Sequence, residues 1–385
     1  MFHGLTAEDI QRRDVVRKMV DEYFRPLEDE IDRTDSVDPS TLRELRVRSA
    51  QVGVLGFNLP EDLGGAGLGY LSQSLLGVEM GRVTTALGHQ VGHLPESLRF
   101  LDDQQREWLL APVLTGERSL AYAVTESEGG SDLGNLRTQA RKVDNQWVLT
   151  GSKHFISNAG IADHILVLAV TDGQAPLRER FTVFIVPRDV DGFSVSERYH
   201  TMGWRGHHLN ALNFDSCGIP EDNVLGGVGN GFNVIMTTIN GARLNVASRC
   251  VGAAERALAK AVAFATERRV GGNRLAELGV TQEKLANMDV QLQAATLLVG
   301  EAARCGDAED PEFRIAVSRA KLFASEMANY VADTALQILG AAGYTTDYGV
   351  ERILRDVRAF RIGEGTSEIQ RIQIARDVVR GRRGA

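Results

Sequence analysis

The chain has 385 residues, 43% of them hydrophobic, enough to bury a large core and to form two or three domains. A net charge of −8, with no basic stripe interleaved with aromatics, argues against nucleic acid as a partner. No apolar run approaches the roughly 20 residues that cross a bilayer, and Cys217, Cys250 and Cys305 are too scattered for a metal or disulfide framework.

The N-terminal stretch "MFHGLTAEDIQRRDVVRKMVDEYF" lacks the apolar core of a signal peptide and carries acids that a transit peptide avoids, so a bacterial cytoplasm is the expected location. Residues 1–118 carry helical patterns such as "STLRELRVRSAQVGVLGF" and "QREWLLAPVLTGE", interrupted by the glycine-rich "PEDLGGAGLGY". From 119 to 225 short runs rich in Val, Ile, Thr and Phe ("QWVLTG", "HILVLAVT", "FTVFIVP", "ALNFDS") predict strands. From 226 to 385 helical stripes take over, among them Leu244, Val251, Leu258, Val262 and Ala265, then Leu285, Met288, Leu292, Ala295 and Val299. The predicted architecture is α+β and multidomain: an N-terminal α-helical domain, a middle antiparallel β-sheet or barrel, and a C-terminal four-helix bundle.

Two segments of the middle part can bind polar ligands. "LAYAVTESEGGSD" runs from a strand into Gly129, Gly130 and Ser131, a loop able to offer N–H groups and hydroxyls to a phosphate or a flat polar ring. "GSKHFISNAG" offers the aromatic face of Phe155 beside Ser157 and Asn158. Alone, the first reads better as a polar hairpin turn, and the second can be an ordinary strand end. Near the C-terminus, "RIGEGTSEIQR" holds Glu364 between Gly363 and Gly365, just before a helix that Ser367 and Gln370 would open as a capping box. A lone acid between glycines is either a solvated turn or a carboxylate aimed at a ligand that comes close to the backbone.

Taken in order, these segments resemble the acyl-CoA dehydrogenase family over nearly the whole chain. "AYAVTESEGGSD" and "GSKHFISNAG" match its signatures, and "MGWRGHHLNALNFDSCGIPEDNVLG", "RLNVASRCVGAAERAL", "QILGAAGY" and "RILRDVRAFRIGEGTSEIQR" follow in the family's order. The resemblance implies FAD as cofactor, an acyl-CoA substrate, and Glu364 as the base that removes the α-proton while the β-hydrogen leaves as hydride to the flavin. The Glu364 N–H would help polarise the thioester carbonyl, with Gly365 keeping it accessible. A dry pocket would raise the pKa of Glu364. Around the flavin the resemblance places Tyr122, Val124, Thr125, Gly130, Ser131, Phe155 and Ser157. Thr366 and Glu368 would approach the adenosine half, and Arg268, Gln337 and Gly340 would reach the adenine end from a neighbouring subunit. That last set implies a homo-oligomer, by family habit a tetramer, and electron-transfer flavoprotein would be the acceptor. Ser131, Asn240, Arg243, Gly363 and Gly365 are expected to contact substrate.

Departures from the family pattern also carry meaning. "RRVGG" at 268–272 replaces an R-x-Q-F-G segment, Ala341 a glycine, Ser127 a proline, Asn240 an aspartate and His207 a serine. Gly363 stands where a bulky residue is frequent, leaving room for a branched or cyclic acyl group. Ala242 occupies the other position at which the family carries its base, so Glu364 alone can serve. The histidines show no metal-ligand pattern: His207 and His208 are neighbours expected on opposite faces of a strand, and His89 and His93 lack the glutamate of an H-E-x-x-H motif. No metal is expected. Other readings stay open at this point: a flavin oxidase or monooxygenase on the same scaffold, a dehydrogenase acting on an acyl carrier protein, and a cofactor-poor relative serving as a binding protein.

Overall fold

The computed structural model describes residues 2–89 and 92–383. Helices come first, as the apolar spacing predicts. Thr6 caps α1 (Ala7–Met19) in a reciprocal box with Asp9. Asp38 and Pro39 start α2 (Pro39–Gln51), Asp38 accepting from the Ser40 N–H. The apolar α3 (Tyr70–Gly81) follows the glycine-rich loop.

The strands then form one mixed sheet: β1 (Leu120–Ala123), β2 (Gln139–Val143), β3 (Gln146–Ser157), β4 (His164–Val170), β5 (Phe181–Pro187), β6 (Phe193–Arg198), β7 (Leu209–Pro220) and β8 (Val224–Leu225). The pairing path is β6-β7-β3-β2-β4-β5-β8, with β1 attached to β4. Two pairings, β1 with β4 and the single Gln139–Val170 contact of β2 with β4, are parallel, where an all-antiparallel sheet was expected. The reason is that Ser119 and Asp163 lock the start of β1 beside the start of β4: Asp163 accepts the Ser119 N–H at 2.8 Å, and Arg118 pairs with Asp163 at 3.0 Å. Both faces of the sheet are covered, so β4 and β5 read as continuous apolar runs.

Four long helices complete the chain: α4 (Gly231–Glu267), α5 (Gly279–Asp307), α6 (Phe313–Leu339) and α8 (Ser367–Arg383), with the shorter α7 (Val350–Arg358) between the last two. Their core is rich in alanine, including Ala247, Ala254, Ala261, Ala295, Ala320 and Ala328, all fully buried, which brings the helix axes close.

Glycines set how α3 lies on α4. A Cβ on Gly252 would fall 1.9 Å from the Val78 carbonyl oxygen, and one on Gly81 would fall 2.2 Å from that of Arg249, so the two backbones touch. One buried carboxylate then joins all three parts of the chain. Asp356 of α7 accepts from the Thr84 hydroxyl at 2.7 Å and from the Trp204 N–H at 2.6 Å, linking the bundle to the N-terminal helices and to the loop before β7. Burial raises the Asp356 pKa despite these donors. The α3–α4 contact can be tested directly. Gly252→Ala drives a methyl into backbone that has no rotamer to move, and it should cost about 1–3 kcal/mol, or more, in urea unfolding.

Candidate functional site

The turn that carries Glu364 is held from both sides. After α7 a 3-10 turn, Ala359–Arg361, ends the helix, and the Gly363 N–H still donates to the Ala359 carbonyl at 3.0 Å. Glu364 has φ +53° and Gly365 φ +84°, both in the left-handed region. At Gly365 the glycine is required twice over, since a Cβ would lie 2.9 Å from Gln370 Nε2 and 3.1 Å from Arg243 Nη2. Arg243 Nε of α4 donates to the Glu364 carbonyl at 3.1 Å, and Lys321 Nζ of α6 donates to the Gly365 carbonyl at 2.7 Å. Gln370 adds a 3.1 Å bond to the same Gly365 oxygen. The helix start departs from the predicted capping box. Thr366 caps it, its hydroxyl accepting the Ile369 N–H at 3.3 Å, while Ser367 donates sideways to Glu326. Gln370 is drawn off to the turn carbonyls and is unavailable for the reciprocal bond.

With its carbonyl pinned inward, Glu364 turns outward. Its N–H has no partner among the described residues. The side chain is exposed to solvent, yet the protein packed around it raises its pKa; Arg243, Lys321 and His93 oppose that rise and Glu96 adds to it. The expected dry pocket is therefore open in the free chain. Gly363 leaves open space beside the acid: the nearest atom to a built Cβ is the Ala359 oxygen at 3.8 Å.

The sheet supplies the opposite wall. Burial raises the pKa of Tyr122 on β1, with the charges of Glu364 and Glu96 adding to the rise, and its hydroxyl lies near Ser97 and Thr238. The contacts to Ser97 and Thr238 fall short of good hydrogen-bond geometry, and the hydroxyl oxygen is buried without a partner. Val124 and Thr125 are half-buried, and Gly130 and Ser131 are exposed at the loop's tip. Glu126 and Lys153 hold that loop in shape. The Glu126 carboxylate accepts from Lys153 Nζ at 2.7 Å and from the Arg137 and Thr138 N–H groups at 2.7 and 3.0 Å, while Lys153 also donates to the Val124 carbonyl. Lys153 is fully buried, and desolvation pulls its pKa down to about 8. On the same strand, a register shift between Lys153 and Ile156 turns Phe155 outward at φ +57°, leaving its ring 58% exposed and 4.9 Å from Tyr199. Ser157 is half-buried at the end of β3.

An exposed aromatic, an exposed Gly130–Ser131 tip and the half-buried Val124 and Thr125 suit a large flat polar cofactor. Thr366 and Glu368 stand at the α8 N-terminus, a favourable place for an anion. Asn240 and Arg243 lie nearly one turn apart on α4, with the Asn240 side-chain oxygen Oδ1 buried and unpartnered. Arg268, Gln337 and Gly340 lie elsewhere. Arg268 follows Arg243 by 25 residues, about 38 Å along the same axis, and Gln337 is a similar fraction of α6 away from Lys321. All three are exposed, so one chain cannot bring them to Glu364. The aromatic absent from "RRVGG" is replaced by a two-residue hairpin: Val270 pairs with Asn273 across Gly271 (φ +57°) and Gly272 (φ +86°).

The histidines also differ from the expectation. His207 and His208 precede β7 and do not lie on it. His207 is fully buried, its ring edge-on to His89 at 5.2 Å and to Trp204 at 5.6 Å. His89 ends the single turn Thr85–Gly88, and His93 lies beyond it, paired with Glu96 at 2.8 Å. No metal-binding group occurs among the described residues.

Family profiles match the chain in three consecutive pieces: "Acyl-CoA dehydrogenase, N-terminal domain" at 6–117, "middle domain" at 121–217 and "C-terminal domain" at 229–379. The human mitochondrial short-chain specific acyl-CoA dehydrogenase is 37% identical, over 86% of this chain and 81% of its own length. Among solved structures, butyryl-CoA dehydrogenase from Megasphaera elsdenii superposes with a TM-score of 0.91 at 30% identity, over 98% of this chain and all of its own. A glutaryl-CoA dehydrogenase from Mycobacterium smegmatis in complex with FADH2 gives 0.90 at 27%, over 97% and 95%.

Sequence reading overlooked Lys321, although it interrupts an apolar stripe formed by Val317, Ala320, Ala324 and Ala328, a pattern that marks a buried cation. Burial pulls its pKa from 10.5 down to about 8. The unfolded chain keeps that proton up to about pH 10.5, so between these values the unfolded state binds more protons and stability rises with pH. Urea unfolding across that window should show the rise in the native protein, and Lys321→Met should lessen it, leaving the part that the buried Lys153 contributes over the same range.

Proposed function

Because this chain belongs to the acyl-CoA dehydrogenase family, we propose that it desaturates an acyl-CoA thioester between the α and β carbons, with Glu364 as the base. The α-proton goes to the Glu364 carboxylate, and the β-hydrogen leaves with its electron pair as hydride. FAD, the cofactor of the family, supplies the hydride acceptor, and the product is the trans-2-enoyl thioester. The observation that carries this reading is the turn itself: an acid in left-handed backbone, its own carbonyl and that of Gly365 anchored by cations, its own N–H unpartnered and its pKa raised.

Each part of the turn has a chemical task. An α-proton beside a thioester is too weakly acidic for a carboxylate in water, so the carbonyl oxygen needs fixed donors, and the outward Glu364 N–H is placed to be one. A raised pKa makes the carboxylate a stronger base, better matched to work near neutrality. Tyr122, Val124, Thr125, Gly130, Ser131, Phe155 and Ser157 line the wall that would receive the flavin, with Thr366 and Glu368 at the α8 end. Asn240, Arg243, Ser131, Gly363 and Gly365 border the substrate path. Arg268, Gln337 and Gly340 would complete the cofactor site of another subunit, since their own chain holds them far from Glu364. This supports a homo-oligomer, a tetramer in the family's usual form. Electron-transfer flavoprotein is the proposed acceptor.

Anaerobic titration of the purified flavoprotein with acyl-CoA thioesters tests the assignment. The flavin band should bleach, and Glu364→Gln should slow bleaching by about 10³-fold or more while FAD stays bound. In the native protein kcat/KM should fall as pH falls and Glu364 takes up its proton, with the inflection above the ordinary carboxylate value of 4.5. A substrate panel addresses Gly363. Branched or cyclic acyl groups should be accepted, and Gly363→Tyr should lower kcat/KM for them about tenfold or more relative to straight chains; an equal loss on both would place the gap elsewhere.

A further inference from the structure

The Phe155 ring stands where the strand ladder gives it no support. Between β3 and β7, Lys153 pairs with Leu212 and Ile156 with Asn210, so His154 and Phe155 together oppose Ala211 alone, as in a bulge. Phe155 takes left-handed backbone there (φ +57°), and 58% of it is exposed. An exposed side chain is free to change rotamer, and a ligand that packs on it must first order it.

One neighbour orders it in advance. The Tyr199 ring lies 4.9 Å from the Phe155 ring with the planes 30° apart, within the range of aromatic pairing. Tyr199 is itself held at both ends. Its N–H donates to the Leu209 carbonyl at 2.8 Å, and Leu209 stands opposite Ser157 in the β3–β7 register. Its hydroxyl is hydrogen-bonded to Nδ1 of His154 at 2.9 Å. The preceding residue, Arg198, pairs with Asp35 at 2.8 Å, and Asp35 also accepts the Gly206 N–H at 2.9 Å. The segment from β6 to β7 is thereby clipped to the N-terminal part of the chain. Neither ring belongs to an apolar core cluster of the described residues. So much fixing of a tyrosine that fills no core makes it a support for the ring in front of it.

His154 joins this support to the neighbouring loop. Its N–H donates to the Thr125 carbonyl at 2.9 Å, and a Cβ on Gly130 would lie 3.3 Å from Thr125 Cγ2. Resting on the reading of this wall as the flavin site, we propose that Tyr199 and His154 are positioning residues for the cofactor. They act through Phe155: Tyr199 holds its ring in the orientation that receives the flavin, and His154 holds Tyr199.

The test follows FAD affinity, from flavin fluorescence on dilution of the holoenzyme, and the visible circular dichroism of the bound flavin; neither requires turnover. Tyr199→Ala should raise the FAD Kd about three- to tenfold and change the dichroism of the flavin band. Tyr199→Phe keeps the ring and should recover most of the affinity, and His154→Leu should match it, since each deletes the same hydrogen bond. In a Phe155→Ala background Tyr199→Ala should add nothing, because the ring it orders is gone. Should Tyr199→Ala fail to fold, Tyr199→Leu carries the same comparisons. If Phe155→Ala weakens FAD binding but Tyr199→Ala changes neither readout, the inference falls and the flavin site stands. If Tyr199→Ala weakens FAD equally with and without Phe155, action through that ring is overturned. If Phe155→Ala itself leaves the bound flavin unaltered, the flavin reading of this wall falls and takes this one with it.

Discussion

The site depends on two cations bonded to two consecutive carbonyl groups. Arg243 from α4 and Lys321 from α6 reach the Glu364 and Gly365 oxygens, and this holds the turn in a left-handed shape that points the acid out and its N–H free. Both cations are buried, and burial lowers the pKa of each. Carbonyl dipoles alone compensate a buried charge poorly. The Glu364 carboxylate completes the compensation: it favours the charged form of both, as they favour its own. The acid and its anchors thus stabilise one another's charge, and a mutation that removes one shifts the pKa of the others.

The rest of the fold exists, from the viewpoint of the site, to bring other walls to that turn. Backbone contact through Gly81 and Gly252 lays α3 on α4 and carries the following segment, with His93 and Glu96, against Gly241. Asp356 ties α7, which leads into the Glu364 turn, to Thr84 at one side and Trp204 at the other. On the sheet, the Glu126–Lys153 pair plays the part that Arg243 and Lys321 play on the bundle. It fixes loop backbone from beneath so that Gly130 and Ser131 stand exposed at the tip, and the Phe155 ring emerges two residues beyond Lys153. In both places a buried lysine organises a loop whose own residues have little to hold them.

Much of this was legible in the sequence because it is local. Helical and strand runs, the glycine pairs, and the odd placement of Glu364 can be read within windows of a few residues, and ordered motifs identified the family. Contacts between distant segments were not legible. Gln370 bonds the Gly365 carbonyl in a turn that Arg243 and Lys321 hold from helices far away in sequence, so Thr366 and not Ser367 caps the helix. The parallel run of β1 beside β4 rests on Asp163 reaching Ser119, forty-four residues away. Arg268, Gln337 and Gly340 show the limit from the other side: motif order names them together with Glu364, but helix length places them at the far end of the bundle.

Burial of Glu364 is a property of the protein around it more than of its own exposed atoms, and this bears on when the base becomes strong. In the free chain the carboxylate reaches solvent through the cleft while its surroundings already disfavour its charge. An acyl chain filling the space beside Gly363 would remove the remaining water and raise the pKa further, in the direction that a stronger base requires. The anchoring cations work against that rise and set how far it goes, while Glu96 works with it. The same acid can therefore gain basicity when substrate covers it, without any movement of the turn that holds it.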